Sequence, residues 1–222
     1  MQTMELIAEY PPSAESPLDL DALDVLGVGV AIAPEDYLAA ERLALTKHEY
    51  DDGEVIQMPG ASKTHNHIAS NINFALQFTL RKNNAEYGLM QSDLRVHNPL
   101  TNSYHYPDIV LVKQDDMRFA DSEQDVLLNP IVIIEILSSS TEEYDRGRKF
   151  ESYKRIASLQ EYVLVSQTEA HVECYTRTHP EATNEWLYTD LHGTEAALHL
   201  RSVAATLQLS DIYAKVSFLQ SK

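Results

Sequence analysis

The chain has 222 residues, 44% of them hydrophobic and 23% charged, which suits one globular domain or one domain with an extended arm. Its net charge of −17 argues against general electrostatic adhesion to nucleic acid or anionic membrane, although bound cations can supply positive charge locally. One cysteine, Cys174, excludes an internal disulfide and a multi-cysteine zinc site. With no basic leader and no apolar run near the roughly 20 residues of a membrane span, the chain reads as cytoplasmic.

Residues 1–33 join "PPSAESP" to "LDLDALDVLGVGVAIA" and read as an N-terminal arm or an added edge element, with the main domain at 34–222. "APEDYLAAERLA" predicts a short helix, with Pro34 in its first turn and Glu35 and Asp36 at its positive end. "HEYDDGEVIQM" predicts two strands joined by a tight turn at Asp51-Asp52-Gly53. In "SKTHNHIASNINFALQFTLRKN", Ile68, Ile72, Leu76 and Leu80 recur every fourth residue, the pattern of an amphipathic helix with a basic last turn. "YGLMQSDLRVH" and "YHYPDIVLVK" are strand patterns separated by the turn cluster "NPLTNS". "NPIVIIEILSSST" gives a further strand, "TEEYDRGRKFESYKRIA" a helix and "EYVLVSQTEAHVECYTR" a hairpin, before strand-like pieces to the end. This order predicts an α/β (α+β) fold, a mixed central β-sheet flanked by helices.

Two carboxylates stand out. In the strand from Ile131 to Leu137 both faces are apolar except at Glu135, near the C-terminal end. A carboxylate in such a setting costs several kcal/mol unless paired or bound to a metal. Asp108 follows Pro107 at the head of the apolar run Ile109 to Val112. Acids on two adjacent central strands can converge within a few ångströms, a geometry suited to Mg²⁺. Taken alone, Glu135 could instead pair with a buried cation such as Lys149, and Asp108 could cap a turn.

The ordered set "YPD", "EILSSST", "DRGRKFESY" and "LQEYVLV", with "HEYDDGEVIQM", "SKTH" and "LQLSDIY", resembles the Uma-two family of endonucleases in the PD-(D/E)XK, restriction-endonuclease-like superfamily. The likeness runs over roughly residues 32–215. It implies a restriction-endonuclease-like core and hydrolysis of phosphodiester bonds in DNA with Mg²⁺, Mn²⁺ serving as a substitute. It further implies that Asp108 and Glu135 ligate the metal and that two copies act as a homodimer, the arm contributing. The superfamily's lysine stands two residues after the acid, where this chain has Leu137. The family pattern carries a lysine at Lys149 on the following helix, with Asp145 and Tyr153 on the same face, and an acid on the first hairpin at Glu49. The resemblance makes these two residues catalytic candidates beside Asp108 and Glu135.

Other groups carry two readings. His65 and His67 diverge on a helix and suit a polar rim, His65 matching a histidine of the family. Ser138 to Thr141 more simply close the strand, with Thr141 capping the next helix. Arg146, Arg148, Lys149, Lys154 and Arg155 form the densest basic set, either a solvated helix face or a DNA-facing patch. Cys174 reads as a packed strand residue. The acidic surface and Leu137 favour a second function class, a catalytically silent nucleic-acid-binding or interaction module on the same fold. The position of the Lys149 ammonium discriminates the two: beyond about 8 Å from the carboxylates, its charge could assist only through water.

Overall fold

The computed structural model describes residues 18–21, 31–83, 86–179 and 185–218; most of the arm expected at 1–33 lies outside them. In chain order the elements are α1 (Pro34–Glu41), β1 (His48–Asp51), β2 (Glu54–Gln57), α2 (Lys63–Lys82), β3 (Tyr87–Gln91), β4 (Arg95–Asn98), β5 (Ser103–His105) and β6 (Ile109–Lys113). Then follow β7 (Val126–Leu127), β8 (Val132–Leu137), the helical segment α3 (142–153), β9 (Glu161–Ser166), β10 (His171–Arg177), β11 (Trp186–His192), β12 (Ala197–Leu200), β13 (Ala205–Gln208) and α4 (Leu209–Ile212). The chain divides into two units, one of residues 1–60 and 99–105, the other of 61–98 and 106–222.

In the smaller unit, β1 pairs antiparallel with β2 and with β5. The turn predicted from Asp51-Asp52-Gly53 forms with positive φ at Asp52 (49°) and Gly53 (100°), the backbone a two-residue hairpin with right-handed strand twist requires. Pro34 opens α1 as expected. Tyr37, Tyr50 and Tyr104 pack ring against ring at 5.0–5.8 Å, and the Tyr37 hydroxyl donates to the His48 carbonyl at 2.6 Å.

The larger unit is built on a six-stranded mixed sheet in the order β11-β10-β9-β8-β6-β3. β8 and β9 run parallel and their neighbours antiparallel. The sequence Val-Ile-Ile-Glu-Ile-Leu, apolar on both faces, places β8 in the interior, and all six of its residues are buried. Its even-numbered face (Val132, Ile134, Ile136) joins Ile109, Leu111, Val163 and Val165 in a core closed by α2 and by the β12–β13 hairpin. Ile68, Ile72, Leu76 and Leu80 of α2 are the buried side chains there, as their fourfold spacing predicts. The odd-numbered face (Ile133, Leu137) packs with Val110, Val112, Tyr162 and Leu164 under Tyr153, Ile156 and Leu159.

One departure from the expected helix matters. α3 is not a regular α-helix: residues Asp145–Lys149 form a wider π turn between two short α segments. Gly147 in its middle weakens the α conformation. The Tyr162 hydroxyl on β9 donates to the Asp145 carbonyl at 2.9 Å, satisfying an acceptor in the wide turn. The helical stretch stops at Tyr153, four residues short of the predicted run, and Asn98 Nδ2 donates to the Ser152 carbonyl at 2.6 Å. Among the described residues, no helix is long and apolar enough to cross a membrane.

Candidate active site

Glu135 lies on the odd-numbered face of β8, beneath α3. It is 3% exposed, and so is Lys149. Lys149 Nζ lies 3.1 Å from Glu135 Oε1 and 3.3 Å from Asp145 Oδ1, and the Tyr153 hydroxyl donates to the same Glu135 oxygen at 3.3 Å. Lys149 and Tyr153 therefore reach one strand carboxylate from one helical segment, and Asp145, one i, i+4 step before Lys149, holds the ammonium from the other side. The charge on Glu135 is compensated by a buried ammonium. An ion pair out of water holds only with such added hydrogen bonds, and removing one partner from it typically costs about 3–5 kcal/mol.

Asp108 is set against this group by the sheet register. β6 and β8 pair Ile109 with Ile134, so one step further Asp108 faces Glu135. Its Oδ2 accepts the Ile136 amide at 2.7 Å, and its Oδ1 lies 3.0 Å from His65 Nε2. The aspartate is fixed at both oxygens while its side chain keeps 20% exposure. Each carboxylate oxygen has a second lone pair for another ligand.

His65 is positioned by a chain of bonds that only the folded protein reveals. Ser62 caps α2 and accepts the His65 amide at 3.0 Å. The Ser62 hydroxyl donates to Gln167 Oε1 at 2.5 Å, and Gln167 Nε2 donates to the Leu137 carbonyl at 2.7 Å. The start of α2, the end of β8 and the turn after β9 are thereby joined around Asp108. His65 stands in the first turn of α2, where the positive helix end favours the Asp108 carboxylate. Its Nδ1 is buried with no hydrogen-bond partner among the described residues. His67 diverges from it, as two residues' separation on a helix requires.

Leu137, at the position of the superfamily's lysine, buries its side chain in the odd-face core. Glu49 belongs to the smaller unit. It is not a solvated hairpin charge there: it is 3% exposed, with Oε2 3.5 Å from His105 Nδ1. The cap after β8 differs from the expectation. Thr141 makes no side-chain capping bond; Ser138 instead accepts the Thr141 amide on its hydroxyl at 3.1 Å and the Glu142 amide on its carbonyl at 2.9 Å. The five basic residues do not make one solvated patch either. Lys149 is buried, Arg146 is paired with Glu142 and Glu173, and Lys154 with Glu151, which leaves Arg148 and Arg155 on the exposed side.

Known proteins bear on this geometry. A family model described as Uma2, putative restriction endonuclease, matches residues 34–210. Two uncharacterized proteins of Synechocystis sp. are similar in sequence. The one called sll1609 is 34% identical over 163 residues, covering 73% of this chain and 89% of that one. The other, slr1290, is 33% identical over 187 residues, covering 84% and 94%. In fold, the chain is similar to the crystal structure of a putative nuclease belonging to DUF820 from Anabaena variabilis, with a TM-score of 0.66 at 18% identity over 82% of this chain and 98% of that one.

Proposed function

This chain belongs to the Uma2 family, and we propose that it is a nuclease hydrolysing phosphodiester bonds in DNA with a divalent cation held by Asp108 and Glu135. The observation that carries the reading is the meeting of Lys149 with Glu135 at 3.1 Å, on a strand whose Ile136 amide holds Asp108 at 2.7 Å. The donor set fits the metal. Asp108 and Glu135 are hard oxygen donors from neighbouring strands, and Mg²⁺ takes one or two carboxylates and keeps several waters. When bound, the cation supplies Lewis-acid stabilisation of phosphate charge and an acidified water.

The chain's own groups do the rest. The Ile136 amide and His65 hold both oxygens of Asp108 in one orientation. Tyr153 and Lys149 hold Glu135, and Asp145 keeps the ammonium in place. In this reading Lys149, held at Glu135, is the cation that stabilises negative charge developing on the phosphate. At 3.1 Å from Glu135 it lies well inside the distance at which its charge acts directly. This arrangement also reconciles a phosphodiester substrate with a net charge of −17, because the positive charge is local and supplied in part by the metal.

A second reading rests on Leu137, which puts an apolar side chain where the superfamily carries its amine. It makes the domain an interaction module without catalysis. Incubating the full chain with single- and double-stranded DNA in Mg²⁺, Mn²⁺ and EDTA separates the two. The nuclease cuts with metal and stops with EDTA; folded protein that cuts neither substrate in either metal supports the silent module.

A further inference from the structure

β10 and β11 form the outer hairpin of the six-stranded sheet, with β11 at the edge. Their register sets His171 directly opposite His192 and Glu173 directly opposite Asp190. Residues two apart on a strand share a face. Two histidines and two carboxylates therefore form a square on one face, contributed by residues about twenty positions apart in the chain. The imidazoles stack at 4.2 Å between centroids with planes 4° apart. Both Nε2 atoms converge on one oxygen: Asp190 Oδ1 lies 2.7 Å from that of His171 and 3.2 Å from that of His192. Glu173 Oε1 is 3.6 Å from His171 Nε2.

These spacings, 2.7–3.6 Å, bracket those between the ligands of one metal ion. With bonds of about 2.0–2.1 Å in a tetrahedral zinc site, neighbouring donor atoms stand about 3.3 Å apart. One donor atom each from His171, Asp190 and His192 lies within 4.8 Å of the others. The site is reachable, since the His192 and Asp190 side chains are 59% and 44% exposed.

We propose that His171, Asp190 and His192 form a binding site for a zinc-class divalent cation, with Glu173 or water completing the coordination. Two imidazole nitrogens with a carboxylate select zinc and its transition-metal neighbours over Mg²⁺, which prefers oxygen. The site is thus distinct in donor chemistry from Asp108 and Glu135. It clips the edge strand β11 to β10. Glu173 also pairs with Arg146, whose other partner is Glu142 at the start of α3.

The test is titration of the full chain with zinc sulfate alone, by calorimetry, in wild type, Asp108→Asn, His192→Ala and Asp190→Asn. Circular dichroism checks the fold of each; His192 and Asp190 face solvent, so two independent variants read the site. The proposal expects one zinc equivalent that persists in Asp108→Asn and in excess Mg²⁺. Both hairpin variants should bind that equivalent at least about 100-fold more weakly. Cobalt should give the intense visible bands of a four-coordinate nitrogen-oxygen site in wild type and lose them in His192→Ala. Absence of zinc binding overturns the proposal, and so does an equivalent unchanged in both hairpin variants or lost with Asp108.

Discussion

The two faces of β8 are one residue apart in sequence and opposite in character. On the even-numbered face, Ile134 and Ile136 meet Ile68, Ile72 and Leu76 of α2 in an apolar core. On the odd-numbered face, Glu135 sits among Ile133, Leu137, Tyr153 and Tyr162, with the Lys149 ammonium 3.1 Å away. Both faces are buried, so the difference is not access to water. The first stabilises by removing apolar area from water, at about 25 cal/mol per Å². The second carries charges whose desolvation roughly cancels their attraction. Glu135, Lys149 and Tyr153, the polar groups that meet on it, are those of the candidate active site.

This contrast can be broken from either side. The largest stability effect is expected at Lys149. Lys149→Met leaves Glu135 and Asp145 without their shared ammonium and should lower unfolding stability by about 3–5 kcal/mol, measured by urea denaturation. Because the loss is electrostatic, millimolar Mg²⁺ should restore part of it, whereas an effect insensitive to metal would make Lys149 a packing residue. Ile72→Ala on the apolar face should cost about 2–5 kcal/mol through its cavity, yet leave cleavage per folded molecule unchanged. A loss of cleavage in that variant at temperatures where it is folded would erase the distinction between the faces.

Smaller effects sharpen the comparison. Tyr153→Phe removes one hydrogen bond to Glu135 and should cost about 1 kcal/mol, with cleavage reduced more than stability. The smallest expected effect is at Cys174, on the apolar side. Burial pushes its thiol up to about 11, so a disulfide reagent should label it slowly in the native state and rapidly after unfolding. The sign follows from the raised value. The thiol's contribution is fully present below its ordinary value of 9.0 and is lost as pH rises toward about 11. Rapid native labelling near neutral pH would show that this core opens readily.

Much of the apolar side was legible in the sequence. The fourfold spacing of Ile68, Ile72, Leu76 and Leu80 fixes which face of α2 is buried, and the two-sided apolar pattern of residues 131–137 places β8 in the sheet interior. Glu135 stood out because a carboxylate in an apolar strand demands a partner, and Asp108 because it heads the neighbouring apolar run, while the catalytic candidacy of Lys149 came from the family resemblance. The pairing of Glu135 with Lys149 was one of the partners so weighed. What stayed hidden depends on atoms brought together by register and turns. The π turn at Asp145–Lys149 has no local sequence signature beyond Gly147. The Ser62, Gln167 and Leu137 bonds that position His65 span more than a hundred residues. The burial of Glu49 beside His105 and the pairing of Arg146 with Glu173 likewise need tertiary neighbours. The His171–His192 pair needs the β10–β11 register, which a stretch outside the described residues interrupts in sequence.

Asp108 carries the central claim, and one comparison tests it most directly. Wild type and Asp108→Asn would be incubated with single- and double-stranded DNA in Mg²⁺, with an EDTA control. Asparagine keeps an acceptor for the Ile136 amide, so the fold should persist while the anionic metal ligand is lost. The account predicts metal-dependent cleavage by wild type and at least about a 100-fold loss in the variant. Undiminished cleavage by folded Asp108→Asn would contradict the assignment of the site.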